Sequence, residues 1–324
     1  MQRILQFLKK HNASSVAIFS HIRGDGDCLG AQAGLAEILF SAGLTVALYN
    51  QEAISTNFSF LPHYHGIQPA TIEANVADVC IAVDCATFER IGELPEQFLN
   101  RPWINIDHHI SNSMFGNLNF VDGEASSTCE IIARMVVDNE LSLTPLAATA
   151  LFTGISTDTG SFLYPSATAQ TFYIAAKLLE CGANKNLVQA NIFENTSKEK
   201  IRVLQFLYAN IQYLENDSIA YCVFSQNTMQ DLKISILDLE GIVSLIKEIQ
   251  GVEVAVLFTE LENQICKVSL RSRDWFDCNY CCNIFGGGGH IRASGATLDQ
   301  PLASAVSAVL KEIIFEWEEA QHVK

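Results

Sequence analysis

Four places in this chain set carboxylates and imidazoles at spacings that could hold cations: His21-x3-Asp25-x-Asp27, Asp84, Asp107-His108-His109 and Asp158. The first three follow short apolar runs, at 15–20, 78–83 and 102–106; Asp158 follows an apolar helical stretch and precedes a Thr-Gly turn. One strand-terminal Asp is weak evidence, because Asp is a common turn former. Taken alone, Asp107 could equally start a turn followed by two surface histidines. Several such ends together change the weighing, since an open α/β sheet binds its ligands just beyond the carboxyl ends of its strands. Brought close without a cation, these carboxylates would repel and resist ionising. Two divalent ions would remove that cost, and a mixed carboxylate–imidazole set suits Mn2+ better than Ca2+. Such a pair of ions is a standard physical solution to phosphoester hydrolysis. In the 21–27 loop, alternate carboxylates can point at neighbouring ions, and Gly24 and Gly26 are expected to let the backbone fold tightly between them.

The elements that must carry these groups follow from the apolar patterning. Residues 15–20, 44–49, 78–83 and 102–106 read as buried strands. A helix is expected from Cys28 to Ala42, stopped at Gly43. Further helices are expected at 126–137, with Ser126 or Ser127 as cap and Glu130 placed for a capping box, and at 146–155 and 168–179. Residues 1–10 read as an amphipathic helix with Ile4, Leu5 and Leu8 on one side. Strands alternating with helices imply a parallel α/β sheet with helices on both faces. A more polar helical stretch from 183 to 210 reads as a connector, after which the pattern restarts. A strand at 219–224 and a helix at 239–249 precede a hairpin, 253–259 with 265–270, turning near Glu262-Asn263. The run from Gly286 to Gly289 interrupts the pattern, and a last helix is expected from Leu302 to about Ala320. The domain boundaries expected are 1–185, a connector at 186–212, and a smaller α/β domain at 213–324.

Composition narrows the class. At 324 residues and 49% hydrophobic, the chain can bury a sizeable core. Lys+Arg 20 against Asp+Glu 36 gives a formal charge of −16, which argues against broad binding to long nucleic acid. The ten cysteines read mostly as small buried hydrophobes of a reducing compartment. For Cys278, Cys281 and Cys282, helix packing is favoured over a zinc site, because no second matching pair follows. His63 and His65 read as loop residues, and Trp103 and Trp275 as packing. With no signal peptide visible and no apolar run long enough to span a bilayer, the cytoplasm is the expected location.

Quoted in order, HIRGDGDCLG (21–30), Val83-Asp84, Asp107-His108-His109 and Thr157-Asp158-Thr159-Gly160 resemble the four motifs of the DHH phosphoesterases. Phe285 to His290, with Arg292-Ala293-Ser294-Gly295, resembles the glycine-rich motif of the DHH-associated C-terminal domain. The resemblance spans essentially the whole chain and is strongest to the compact nanoRNase and pAp-phosphatase branch. It implies one metal on His21, Asp25 and Asp84, and a second on Asp27, Asp84, His108 and Asp158. Asp107 would support His108 from behind, and His109 would lie beside the reacting phosphate. Arg271, Arg273, Gly287, Gly288, Gly289 and His290 would hold the substrate, in a cleft between the two domains. The implied cofactors are two divalent ions, Mn2+ ahead of Mg2+ or Co2+. The implied substrates are short RNA oligonucleotides or pAp, with no long nucleic acid and no membrane; a homodimer is left open. Gly24 and Leu163 depart from the family, which often has Pro and, in some relatives, a basic residue there. Other readings are a hydrolase of linear or cyclic dinucleotides, a pyrophosphatase, a RecJ-type single-stranded-DNA exonuclease, or a nucleotide sensor without catalysis. The glycine-rich motif argues against the pyrophosphatase. The acidic charge and short chain argue against the exonuclease, and the intact ligand set argues against the sensor.

Overall fold

The computed structural model describes residues 1–71, 74, 77–139 and 141–322. The chain divides into two compact units, Met1–Asn195 and a second beginning at Thr196. Among the described residues no helix is long and apolar enough to cross a membrane.

The first unit runs α1 (Gln2–Lys10), β1 (Ser15–Phe19), α2 (Gly26–Ser41), β2 (Thr45–Tyr49), β3 (Val79–Val83), α3 (Glu96–Leu99), β4 (Trp103–Asp107), β5 (Leu118–Val121), α4 (Thr128–Val137), α5 (Pro145–Asp158), α6 (Ala169–Glu180) and α7 (Lys185–Val188). Its five strands pair in parallel in the order β2-β1-β3-β4-β5. β3 and β4 are buried along their whole length, which is why they read as unbroken apolar runs. Alternate residues feed two cores. Val16, Ile18, Ile81, Val83, Ile104 and Ile106 pack with α2, α4, α5 and α6, whereas Ala17, Phe19, Cys80 and Trp103, with Tyr49 of β2, meet Ile91 and Phe98 of the thinner opposite layer, which includes α3. The order places the switch in winding direction between β1 and β3, the place where such sheets leave a crevice. In α1, Ile4 and Leu8 are buried and Leu5 is exposed.

Close helix packing sets the depth of that crevice. A Cβ at Gly30 would stand 2.5 Å from the Ala150 carbonyl oxygen, and one at Gly26 2.4 Å from the Thr157 side chain. Gly26 therefore serves the contact between α2 and α5 and not the turn expected of it. The left-handed residue of the 21–27 loop is Arg23, at φ 59°.

The second unit contains α8 (Lys198–Asn210), β6 (Gln212–Leu214), β7 (Ile219–Phe224), α9 (Gln226–Leu232), α10 (Ile242–Lys247), β8 (Val254–Glu260), β9 (Ile265–Ser272), α11 (Cys278–Ile284), β10 (Gly288–His290), β11 (Ala293–Asp299) and α12 (Leu302–His322). The mixed sheet has the order β10-β11-β9-β8-β7-β6, in which only β7 and β8 run parallel. Val254, Val256, Phe258, Val268 and Leu270 face α11 and α12. Ala220, Cys222, Phe224, Ala255 and Leu257 face α8 and α10. Cys278, Cys281 and Cys282 are buried in the first of these cores. Two expectations are corrected. The helix foreseen at 239–249 is shortened to α10, because Gly241 adopts φ 76°. The glycine run enters an ordered hairpin with β11, where a Cβ at Gly287 would meet the Gly295 carbonyl oxygen and one at Gly289 would lie 2.6 Å from that of Ala293.

Candidate active site

The site gathers at the carboxyl ends of β1, β3 and β4. His21 lies just past β1 with its Nδ1 2.6 Å from the Ile22 carbonyl oxygen, a contact satisfied when Nδ1 carries the proton. Its Nε2 then faces Asp25 Oδ2 at 3.5 Å and Asp84 Oδ2 at 3.4 Å. Asp25 caps α2: its Oδ1 accepts from the amides of Asp27 and Cys28, leaving Oδ2 for His21. Asp27 is fully buried, and both of its oxygens are taken by the first turn of α4, Oδ2 by the Thr128 amide at 2.7 Å and Oδ1 by the Cys129 amide at 2.9 Å. The positive end of that helix makes a carboxylate tolerable there.

Asp84 follows β3 at φ 58°, a left-handed conformation that Asp accepts better than most residues. That backbone presents its two oxygens in different directions. Oδ2 faces His21, whereas Oδ1 lies 3.6 Å from His108 Nε2 and accepts from Thr128 Oγ1 at 3.1 Å. Asp158, the last residue of α5, brings Oδ2 to 3.3 Å from His108 Nε2. Asp107 ends β4 fully buried, with Oδ1 2.7 Å from His109 Nδ1 and Oδ2 accepting from Asn112 at 2.6 Å. The expected support of His108 by Asp107 is thus corrected to support of His109. His108 instead turns its Nε2 to Asp84 and Asp158.

Burial and mutual repulsion act unevenly across the cluster. Burial, then the charges of Asp84 and Asp158, push Asp27 well above the usual carboxylate range. Burial, then Asp84 and Asp25, push Asp158 up to about 8. Burial resists ionisation of Asp107, but the bonds from His109 and Asn112 outweigh it and hold its carboxyl low. The Asp107 bond in turn raises His109 against its own burial. Burial would lower His21, yet Asp25 and Asp84 raise it.

All eight residues named from the first unit meet here. Three residues not foreseen join them. Thr128 touches two of the carboxylates, Asn112 fixes Asp107, and the buried Cys28 lies within reach of His21 and Asp25. The cap before Thr128 was legible in Ser126-Ser127, but not the carboxylates that Thr128 would meet, 101 and 44 residues earlier in the chain.

In the second unit, Arg271 on β9 pairs across the sheet with Ala293, which pairs with His290, so one row holds all three. Arg271 Nη1 bonds the Leu270 carbonyl. Arg273 Nη2 bonds the carbonyls of Lys247 and Ile249 at the end of α10. The Gly289 amide donates to Asn279, which steadies the glycine-rich hairpin.

Residues 15–155 match the family described as DHH family, N-terminal domain, and residues 216–317 match the DHHA1 domain. A Streptococcus mutans protein named probable bifunctional oligoribonuclease and PAP phosphatase NrnA is 32% identical over 87% of this chain and 89% of that protein. The chain belongs to the DHH family. NrnA proteins of Bacillus subtilis, at 26% identity over 95% of this chain and 92% of theirs, and of Thermus thermophilus, at 28% over 96% and 94%, are similar along nearly their whole length. The crystal structure of an exopolyphosphatase-related protein from Bacteroides fragilis superposes with a TM-score of 0.86 at 25% identity, covering 99% of this chain and 98% of that one.

The DHH cluster fits divalent cations on its own chemistry. Ligand atoms of Asp27, His108 and Asp158, of Asp84, His108 and His109, and of His21, Asp25 and Cys28 lie within 4.8 Å of one another in each group. Buried carboxylates that repel one another, with imidazole nitrogens turned towards them, are what hard and borderline cations bind. Asp158 adds the negative end of α5, where a carboxylate gains nothing from its helix and most from a cation.

Proposed function

We propose that this DHH-family protein is a metal-dependent phosphoesterase that hydrolyses short oligoribonucleotides to nucleoside 5′-monophosphates and removes the 3′-phosphate of pAp. The observation that carries this reading is Asp84, whose two oxygens face different imidazoles, as a carboxylate shared by two cations would. In this reading His21, Asp25 and Asp84 hold one ion, and Asp27, Asp84, His108 and Asp158 hold the other. Mn2+ suits the set ahead of Mg2+ or Co2+. When bound, the ions supply charge neutralisation at the phosphate and acidify a water.

The chain's own groups do the rest. Asp107 keeps a proton on His109 and fixes the ring through Nδ1, so that Nε2 can present a hydrogen bond to a phosphoryl oxygen. Arg271, Arg273, His290 and the backbone of Gly287, Gly288 and Gly289 are read as the groups that hold the substrate's terminal phosphate and nucleotide; Arg offers a fork matched to phosphate. Arg273, with Nη2 engaged at a helix end, contributes less than Arg271.

The test is a substrate panel with Mn2+ titration: pAp, two- to five-nucleotide RNA, long single-stranded DNA, cyclic di-AMP and pyrophosphate. Release of mononucleotide from short RNA and of phosphate from pAp is expected. Turnover of neither would overturn the reading.

A further inference from the structure

Thr128, the first residue of α4, is the one described residue that donates to both Asp27 and Asp84. Its amide gives to Asp27 Oδ2 at 2.7 Å, and its hydroxyl gives to Asp84 Oδ1 at 3.1 Å. All three residues are buried. The terminal torsion of an Asp side chain is broad and two-fold, so the hydroxyl at Oδ1 selects one orientation of the Asp84 carboxylate. In that orientation Oδ1 and Oδ2 face His108 and His21 respectively. Each oxygen retains a lone pair after accepting one bond.

The start of α4 is itself held in place. Ser127 Oγ accepts from the Glu130 amide at 3.0 Å. The buried Glu130 carboxylate accepts from Ser126 Oγ at 2.6 Å and from Thr171 Oγ1 of α6 at 2.9 Å. Thr128 therefore sits on a fixed support, and what it holds is fixed with it.

We propose that Thr128 is a positioning residue for the cation pair. Its hydroxyl aims the Asp84 carboxylate at both ions, and its amide sets Asp27 at the matching distance. This rests on the two-cation reading above. An alternative role, a helix-start residue whose hydroxyl merely finds a partner, would make the hydroxyl matter for stability alone.

Thr128→Val keeps the amide and the shape and removes only the donor; Thr128→Ser keeps the donor. Mn2+ binding to the full chain is measured by calorimetry, together with kcat and KM on a short RNA and a thermal melt without metal. Wild type is expected to take up two Mn2+. Thr128→Val should weaken Mn2+ binding about 10–100-fold, as loss of a partner to a ligating carboxylate does, and lower kcat more than it raises KM. Thr128→Ser should restore both. If Thr128→Val does not fold, Thr128→Ala is read in the same way. A donor-free variant that binds two Mn2+ with wild-type affinity overturns the proposal. Wild type that binds fewer than two overturns the two-cation reading, and the proposal with it.

Discussion

Asp84 turns its oxygens towards His21 and His108 from a left-handed backbone, so its loss should be felt at both proposed ions. Asp84→Asn should reduce Mn2+-dependent turnover by more than about 100-fold, beyond what removing an outer partner of a ligand costs; turnover within tenfold of wild type would refute the bridging role. The two arginines separate by a double readout. Arg271→Ala should raise KM for phosphate-ended substrates about tenfold or more, since a hydrogen bond to a charged group is worth roughly 1.5–3 kcal/mol, and should leave the melt unchanged. Arg273→Ala should instead lower the melting temperature, because its guanidinium bonds the carbonyls of Lys247, the last residue of α10, and of Ile249 just beyond it. A KM effect equal to that of Arg271→Ala with no change in melting would contradict that role. At this scale the ligand-type residues were legible because carboxylate and imidazole at strand ends have few other uses in such number. Their partners were not. The choice of His109 by Asp107 and the bonds of Asn112 and Thr128 depend on backbone paths that spacing does not encode.

The element that governs the site is the contact of α2 with α5. Gly154 lies where a Cβ would stand 2.2 Å from Cys129 Sγ and 2.6 Å from Asp27 Oδ1. Gly154→Ala should therefore destabilise the protein by about 1–3 kcal/mol, the cost of overpacking, and weaken Mn2+ binding as Asp27 is displaced; chemical denaturation and calorimetry measure the two effects. The parallel strands β1, β3 and β4 were legible as apolar runs because they are buried nearly throughout, and β2 was legible as one although it is an edge strand only partly buried. β5 (LNFV) was not, because it is half-buried and carries Asn119 inside its four residues. β10 and β11 were missed for a different reason. Gly, Ala and Ser carry no strand signal of their own, and at Gly287 and Gly289 there is no room for a Cβ against the backbone of β11.

Over the whole molecule, the acidic balance and the site respond together to pH. Asp27 and Asp158 have raised ionisation points in the folded protein without metal. The unfolded chain then releases those protons at lower pH than the folded one. The stability that these two carboxyls contribute without metal is fullest below the ordinary carboxylate range and is lost as pH rises, for Asp158 towards about 8. Protons and cations compete for the same atoms, so the gain in melting temperature on adding Mn2+ over EDTA should grow between pH 5 and pH 8. A gain that is flat across that range would show that these carboxylates do not take up the metal. The groups of the cluster are drawn from residue 21 through residue 158, at the ends of β1, α2, β3, β4 and α5. In the two-cation reading, the ion given to Asp27, Asp84, His108 and Asp158 has no full ligand set until α5 has emerged and docked, so loading of the pair reports assembly of the first unit.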